Sequence, residues 1–139
     1  MRAALHTGAP SACRPHPQSH HPEITMSRPM SAAVRAAYRD EISAARTASA
    51  PGARRRHLER AHILSQPWPW PHTRNHLAMF VLAVRQRDRR EVLGQVVRII
   101  VAAPGSVLGR YPEGNTGRAA AKLTQPMPVP PDLAALLTT

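Results

Sequence analysis

Four side chains that could bind a metal ion lie in two short motifs. Glu59-x-x-His62 places a carboxylate and an imidazole three residues apart, and His72-x-x-x-His76 places two imidazoles four residues apart. Residues at these spacings share one face of an α-helix. On consecutive antiparallel helices His62 and His72 would be level, and one turn away, about 5.4 Å, Glu59 would be level with His76. Such ligands suit zinc, nickel, cobalt or copper, and Glu41 on the preceding helix is a further candidate ligand.

A closed hydrogen-bond network is the alternative for the same residues. His62 could pair with Glu59 or with a backbone carbonyl, and His72 could cap the turn between the helices. Unpaired polar groups in a groove of Ala and Leu would cost about 1–3 kcal/mol each. Either alternative therefore predicts that at least three of the four side chains converge, and a carboxylate-rich di-metal oxidase is not expected from so few acids.

The remaining motifs favour structural roles. Gly114, Asn115, Thr116 and Gly117 resemble a phosphate-binding loop, but the Lys-Ser/Thr pair and the strand-to-helix context of such a loop are missing. We expect a structural turn with glycine or asparagine at positive φ. The single cysteine, Cys13, excludes an intramolecular disulfide and a cysteine-based zinc site. No Ser/His/Asp nucleophile arrangement stands out, so no catalytic residue is predicted and a non-enzymatic role is favoured.

Apolar periodicity predicts the four helices that must position these side chains. We expect helices over residues 30–48, 53–65, 72–86 and 89–103. Asp88 should cap the fourth helix, with Glu91 as its reciprocal partner. The run Pro-Trp-Pro-Trp-Pro at 67–71 predicts an extended link before the third helix, and Pro104-Gly105 predicts the end of the fourth.

The same periodicity predicts which helix faces are buried. Residues 77–84 are apolar nearly all round, which favours the third helix as the most buried one. The predicted core face of the fourth helix consists of Val92, Val96, Ile99, Ile100 and Ala103.

The predicted fold class is all-α, because aromatic residues make up only 4% of the chain and the periodic segments are helical. Two antiparallel helical hairpins should form a repeat-like four-helix bundle over residues 26–104. Residues 1–25 are predicted to be a disordered arm or an over-extended gene start, since they are rich in proline and histidine. Residues 105–139 should form an irregular Gly/Pro-rich wrap that ends in a short helix.

The charge balance suggests a polyanion as one possible class of partner. Nineteen Lys and Arg residues against eight acids give a formal charge of +11, and all the cations except Lys122 are arginine. Clustered arginine neutralises phosphate groups, although a GC-rich genome would also enrich arginine, alanine and proline. No apolar run reaches the roughly 18 residues that a membrane span needs.

Several linked motifs, in order along the chain, resemble the bacterial domain-of-unknown-function 3703 family over about residues 30–137. They are Leu58-Glu59-Arg60-Ala61-His62-Ile63-Leu64 with Gln66, then His72 and His76, Arg90-Glu91-Val92 with Gly94-Gln95, Gly109-Arg110 with Pro112 and the 114–117 turn, and Met127-Pro128 with Pro130. The resemblance implies a bacterial, cytoplasmic helical protein and implies no activity.

Three classes of function follow from these patterns. The first is a non-catalytic interaction module, in which the hairpin stack offers a groove to a protein or peptide partner. The second is a transition-metal-binding protein that uses Glu59, His62, His72 and His76. The third is a basic nucleic-acid binder.

Overall fold

The structure, a computed structural model, describes residues 29–138. This part of the chain forms five α-helices and no strand: α1 (Ala32–Thr47), α2 (Pro51–Ser65), α3 (Pro69–Arg85), α4 (Arg89–Val107) and α5 (Pro131–Leu137). The all-α prediction is confirmed. The predicted N-terminal arm, residues 1–25, lies outside the described residues. None of the helices in the described range has both the length and the apolar character needed to cross a membrane.

The helices pack as two hairpins placed side by side. α1 packs on α2, α3 packs on α4, and α2 packs on α3, while the short α5 lies against α1 and α2. Two apolar clusters hold the elements together. One joins α1, α2 and α5 through Val34, Ile63, Leu64 and Leu133, and the other joins α1, α2 and α3 through Ala45, Leu58, Met79 and Leu82.

The proline-rich link is shorter than the sequence predicts. α3 begins at Pro69 rather than at residue 72, with Trp68 as the capping residue. Pro69 and Pro71 occupy the first turn of the helix, where the backbone N–H groups have no intrahelical partner and a proline loses no hydrogen bond. The extended link therefore shrinks to the residues between Ser65 and Pro69.

The end predicted for the fourth helix is also wrong. Pro104 lies inside α4, which continues to Val107, and the backbone N–H of Leu108 still bonds to the Pro104 carbonyl at 3.0 Å. The predicted cap is present, because the Asp88 side chain accepts from the Glu91 N–H at 3.0 Å. The Glu91 carboxylate does not return to Asp88, since it accepts from the side chain of Gln95 and the N–H of Ala119 instead.

The face of α4 that turns inward is polar, which reverses the prediction. Its buried residues are Glu91, Gln95, Arg98, Ala102 and Ser106. Several apolar residues of the helix point outward, with Leu93 and Ile100 each 69% exposed. The reason is that polar groups lie beside α4 in the interior, and the polar residues of α4 hydrogen-bond to them: Gln95 to His76 and Ser106 to His72.

The third helix is not the most buried one. Leu77, Val81 and Val84 are each more than 40% exposed. The most enclosed stretch is the end of α2, where every residue from 61 to 65 is buried. This end of α2 faces the first turns of α3, the inner face of α4 and the irregular segment of residues 108–130.

Candidate metal centre

Three histidine rings meet at a single point in the polar interior. His62 comes from the last turn of α2, and His72 and His76 come from the first two turns of α3. Their Nε2 atoms form a small triangle with sides of 2.9 Å (His62–His72), 3.1 Å (His62–His76) and 3.2 Å (His72–His76). The three residues are 2%, 6% and 2% exposed, so bulk water does not separate the rings.

The hydrogen bond of the His62 Nδ1 atom fixes the tautomer of that ring. Nδ1 lies 2.8 Å from the backbone carbonyl oxygen of Asn115. A carbonyl can only accept, so Nδ1 carries the proton and donates it. In the neutral ring the Nε2 atom then has no proton and presents a lone pair.

Gln95 fixes the tautomer of His76 in the same way. The His76 Nδ1 atom lies 2.8 Å from Gln95 Oε1. The orientation of this amide is set by its other end, where Nε2 donates to Glu91 Oε1 at 2.8 Å and to the Gly117 carbonyl at 2.9 Å. Because the amide oxygen must accept, His76 Nδ1 donates and its Nε2 atom is unprotonated.

Ser106 completes the set by its bond to His72. The Ser106 hydroxyl donates its one proton to the Gln66 carbonyl at 2.7 Å. It must therefore accept from the Nδ1–H of His72, which lies 2.8 Å away. All three rings therefore carry their proton on the outer nitrogen and donate it, His62 to the irregular segment and His76 and His72 to α4.

The consequence is an unsatisfied arrangement of three lone pairs. The Nε2–Nε2 separations have the length of hydrogen bonds, but the Nδ1 bonds leave no proton to lie between them. Three acceptors aimed at one another in a buried site repel, and no donor or cation among residues 29–138 lies between them. A positive species at the centre of the triangle would remove the repulsion.

Burial makes protonation a poor source of that positive charge. Desolvation, together with repulsion from the ring of His76, lowers the pKa of His72 to about 3. Desolvation is also the main reason that the pKa of His76 falls to about 4 and that of His62 falls well below its ordinary value. At neutral pH the three rings are neutral imidazoles, which is the form that binds metal ions.

A cavity of about 720 Å³ gives access to the triangle. All three histidines line it, together with Arg98 and Gly117. Gly117 has a φ of 75°, and a Cβ atom added there would lie 2.7 Å from His62 Nε2. Its lack of a side chain therefore keeps the space beside the Nε2 triangle free.

The two carboxylates proposed from the sequence do not join the histidines. Glu59 lies one turn before His62, but its carboxylate pairs with Arg118 at 3.5 Å, and burial raises its pKa. Glu41 pairs with His57 at 2.7 Å and with Arg60 at 2.5 Å. Arg118 in the irregular segment holds the Glu59 carboxylate away from the histidines, and Arg60 on α2 does the same for Glu41.

The turn at residues 114–117 supports the site through its backbone. Gly114 and Gly117 have φ angles of 68° and 75°. The Asn115 side chain accepts from the Gly117 N–H at 2.9 Å and donates to the carbonyls of Lys122 and Gln125 at 3.0 and 2.8 Å. These bonds fix the turn, and the carbonyl of Asn115 is thereby held against the His62 ring.

Two supporting residues were not identified from the sequence. Gln95 and Ser106 lie on the inward face of α4, where apolar residues were expected. The spacing of Glu91, Gln95 and Arg98 was the available signal, because polar residues at i, i+4 and i+7 form one stripe on a helix.

Comparison with known proteins identifies the family and nothing more specific. The profile of the family described as "Protein of unknown function (DUF3703)" matches residues 32–137. No curated protein and no solved structure matches the chain. The matched range contains all five helices and every residue of the histidine cluster. The chain therefore belongs to the DUF3703 family.

Proposed function

We propose that this protein binds a transition-metal ion through the Nε2 atoms of His62, His72 and His76. The observation that carries the proposal is the set of three outer hydrogen bonds, which leaves three lone pairs converging without a proton. Each ligand histidine in a metal site is ordinarily oriented by such a bond from its second nitrogen. Here all three rings have one, to a backbone carbonyl, an amide oxygen and a hydroxyl.

The dimensions of the triangle suit a small divalent ion. Zn–N bonds of about 2.0–2.1 Å in a tetrahedral site would separate the nitrogens by about 3.3 Å. The observed separations of 2.9, 3.1 and 3.2 Å are slightly shorter, so a small outward movement of the rings would accommodate the ion.

The ligand set favours zinc or a neighbouring metal over magnesium and calcium. Three imidazole nitrogens suit zinc, copper, nickel and cobalt, whereas magnesium and calcium prefer oxygen ligands. Within the described residues no carboxylate belongs to the cluster. We infer that zinc is the best fit, because three protein ligands and one open position are typical of zinc sites that act on an exogenous ligand.

The open position would face the cavity beside Gly117. A divalent ion held by three neutral rings keeps its full charge, and Arg98 on the cavity wall adds another positive charge. The fourth ligand is therefore expected to be a hydroxide or another small anion, since an anion would lower the electrostatic energy of both cations.

The test is metal uptake by full-length protein made without a histidine tag. After treatment with a chelator and its removal, the protein should take up one equivalent of Zn²⁺, and His76→Ala should abolish this uptake. A chelator should lower the melting temperature of the zinc-loaded wild type and leave that of His76→Ala unchanged, because only the wild type gains stability from the ion.

The chain offers a matched control on α2. His57 is a partly exposed histidine that pairs with Glu41, away from the cluster. His57→Ala should retain one equivalent of zinc. A second control replaces His6, His16, His20 and His21, which lie outside the described residues and could bind metal independently. If His76→Ala only destabilises the fold while chelator and zinc have no effect on the wild type, the cluster is a polar network.

The other predictions from the sequence stay open. The interaction-module and nucleic-acid alternatives do not use the histidine cluster, so they are compatible with a metal site. The bacterial and cytoplasmic assignments stay predictions as well.

A further inference from the structure

A large groove lies between α1 and α3, with residues of α2 in its lining. Its volume is about 1010 Å³, which is at the upper end of the roughly 300–1,000 Å³ of small-molecule sites. Buried Ala45, Leu58 and Leu82 contribute to the floor, and Leu77 and Val81 on α3 leave more than 40% of their surface exposed along it. The groove therefore offers a continuous apolar strip between two helices.

The rim of this groove carries positive charge alone. Among the residues that the structure describes, its lining has no aspartate or glutamate and has six arginines: Arg35, Arg39, Arg46, Arg54, Arg74 and Arg85. In the structure as described from residue 29 to residue 138, the side chains of four of them make no hydrogen bond or ion pair: Arg39, Arg46, Arg74 and Arg85. The buried Nε atom of Arg54 also has no hydrogen-bond partner among the described residues. Six cations around one apolar strip repel one another, and an anionic partner would relieve that repulsion.

The chain itself is a poor source of the occupant. Residues 1–28 hold three arginines and one glutamate, so this segment has the same sign of charge as the groove. A second copy carries a net charge of +11 and contains eight acidic residues in all. Like-charge contact disfavours both of these occupants.

We propose that the α1–α3 groove binds an acidic amphipathic helix of another protein. The apolar face of the helix would pack on Leu77 and Val81, and its carboxylates would pair with the arginines on the two walls. α1 has 16 residues and is about 24 Å long. The groove can therefore accept a helix of four to five turns, which would complete a bundle with α1, α2 and α3.

The form of the groove favours a protein helix over other anions. A nucleic acid would place phosphates on the rim and leave the apolar floor without a partner. A membrane surface would contact exposed outer faces rather than a concave groove between two helices. A helix with one acidic and one apolar face satisfies both the floor and the rim.

The test uses a designed peptide and the full-length protein. The probe is a fluorescein-labelled helical peptide of about 18 residues, or five turns, with Leu at i, i+3, i+4 and i+7 spacing and Glu at most other positions. Fluorescence anisotropy should show saturable binding that is at least about tenfold tighter than that of the same peptide with Lys in place of Glu. The result should be the same for zinc-free and zinc-loaded protein, so the proposal stands or falls independently of the metal site.

Matched variants locate the binding site. Arg39→Glu with Arg74→Glu reverses one arginine on each wall and should weaken peptide binding about tenfold or more. Arg89→Glu with Arg90→Glu makes the same change in net charge at exposed positions outside the groove and should leave binding within about twofold. Circular dichroism should show that all variants keep the helical content of the wild type.

Several results would overturn the proposal. Absence of peptide binding, equal affinity for the Lys peptide, or equal loss in both double variants would each reject an acidic helix as the groove's partner. Stronger groove-dependent binding of single-stranded DNA of about 20 nucleotides, or of vesicles with about 30% phosphatidylserine, would assign the groove to a different class of partner.

Discussion

The three buried histidines should make the metal-free protein sensitive to mild acid. In the unfolded chain each ring has an ordinary pKa of 6.5, whereas in the folded protein burial lowers the pKa of His72 to about 3 and that of His76 to about 4. The pKa of His62 is lowered for the same reason. The folded state therefore binds fewer protons than the unfolded state between pH 6.5 and the folded-state values.

The direction of the effect follows from this difference. Above pH 6.5 all three rings are neutral in both states, and the stability of the fold is fully present. Below pH 6.5 the unfolded chain gains protons that the folded chain cannot bind, so the free energy of unfolding falls. The loss continues until the pH reaches the lowered folded-state pKa values.

The magnitude is a large part of the stability of a small domain. At about pH 5.5 each buried histidine costs about 1.4 kcal/mol, and the three together cost about 4 kcal/mol. A typical domain has about 5–15 kcal/mol of stability in total. The raised pKa of Glu59 acts in the opposite direction, over the pH range between its ordinary value of 4.5 and the raised value, so Glu59→Gln in the same background isolates the histidine contribution.

Urea denaturation of the chelator-treated protein, followed by circular dichroism, measures this loss. Between about pH 7.5 and pH 5.5 the free energy of unfolding should fall by about 4 kcal/mol, with a limiting slope of about three protons. His76→Gln and His72→Asn should each reduce the slope by about one proton. A wild-type stability that does not change over this range would refute the buried neutral cluster.

Three further predictions concern the surroundings of the cluster and α4. Gly117→Ala should abolish zinc uptake and lower stability by about 1–3 kcal/mol, because the new Cβ would lie 2.7 Å from His62 Nε2. Gly109→Ala, at a φ of 62° with nothing within 4 Å, measures the backbone cost alone and should retain zinc. Gln95→Leu should weaken zinc binding about 10–100-fold in competition with a chromophoric chelator, because one ligand ring loses its acceptor; unchanged affinity would contradict the assigned tautomer. Pro104→Ala should raise the free energy of unfolding in urea by about 1–3 kcal/mol, because it restores an N–H inside α4; a loss of stability would show that the packing of the proline ring matters more.

The sequence predicts the number and order of the helices because apolar periodicity depends on helix geometry alone. It does not predict where α3 begins, because a proline both stops a preceding helix and starts a following one. Pro69 and Pro71 were interpreted as breakers, while the structure places them in a first turn. A proline breaks a helix where its missing N–H would have made an intrahelical hydrogen bond, and it does no harm in the first turn, where that N–H has no partner. Which case applies depends on where α3 begins.

The orientation of α4 could not be predicted from hydrophobicity. A helix with a polar stripe and an apolar stripe ordinarily turns the apolar one inward. In this fold the interior beside α4 contains the histidine cluster and its acceptors, so Gln95 and Ser106 face inward and Leu93 faces outward. Periodicity identifies the two faces of a helix, but the neighbouring elements decide which face is buried.

The sequence predicts that the histidines converge, but it does not predict the acceptors that hydrogen-bond to their Nδ1 atoms. His62, His72 and His76 meet because a short link joins α2 to α3. The link sets which residues of the two helices lie at the same height, so this prediction needs no knowledge of the rest of the fold. The same reasoning placed Glu59 at the site, because it cannot foresee the competing ion pair with Arg118. The acceptor of His62 is the backbone carbonyl of Asn115, and a backbone carbonyl in an irregular segment gives no side-chain pattern that a sequence could show.

Apart from the side chains of Arg118, which pairs with Glu59, and Val129, which packs on the first apolar cluster, the irregular segment contacts the polar interior mainly with its main chain. The carbonyl oxygens of Asn115, Gly117 and Ala121 accept from His62, Gln95 and Arg98, respectively. A carbonyl oxygen is chemically the same in every residue type, so these contacts do not depend on which side chains the segment carries. The segment can accumulate substitutions at most positions without changing the interior, as long as its path is kept. Selection would therefore act on the backbone path of the segment, which Gly114, Gly117 and Asn115 hold, more than on the identity of its other residues.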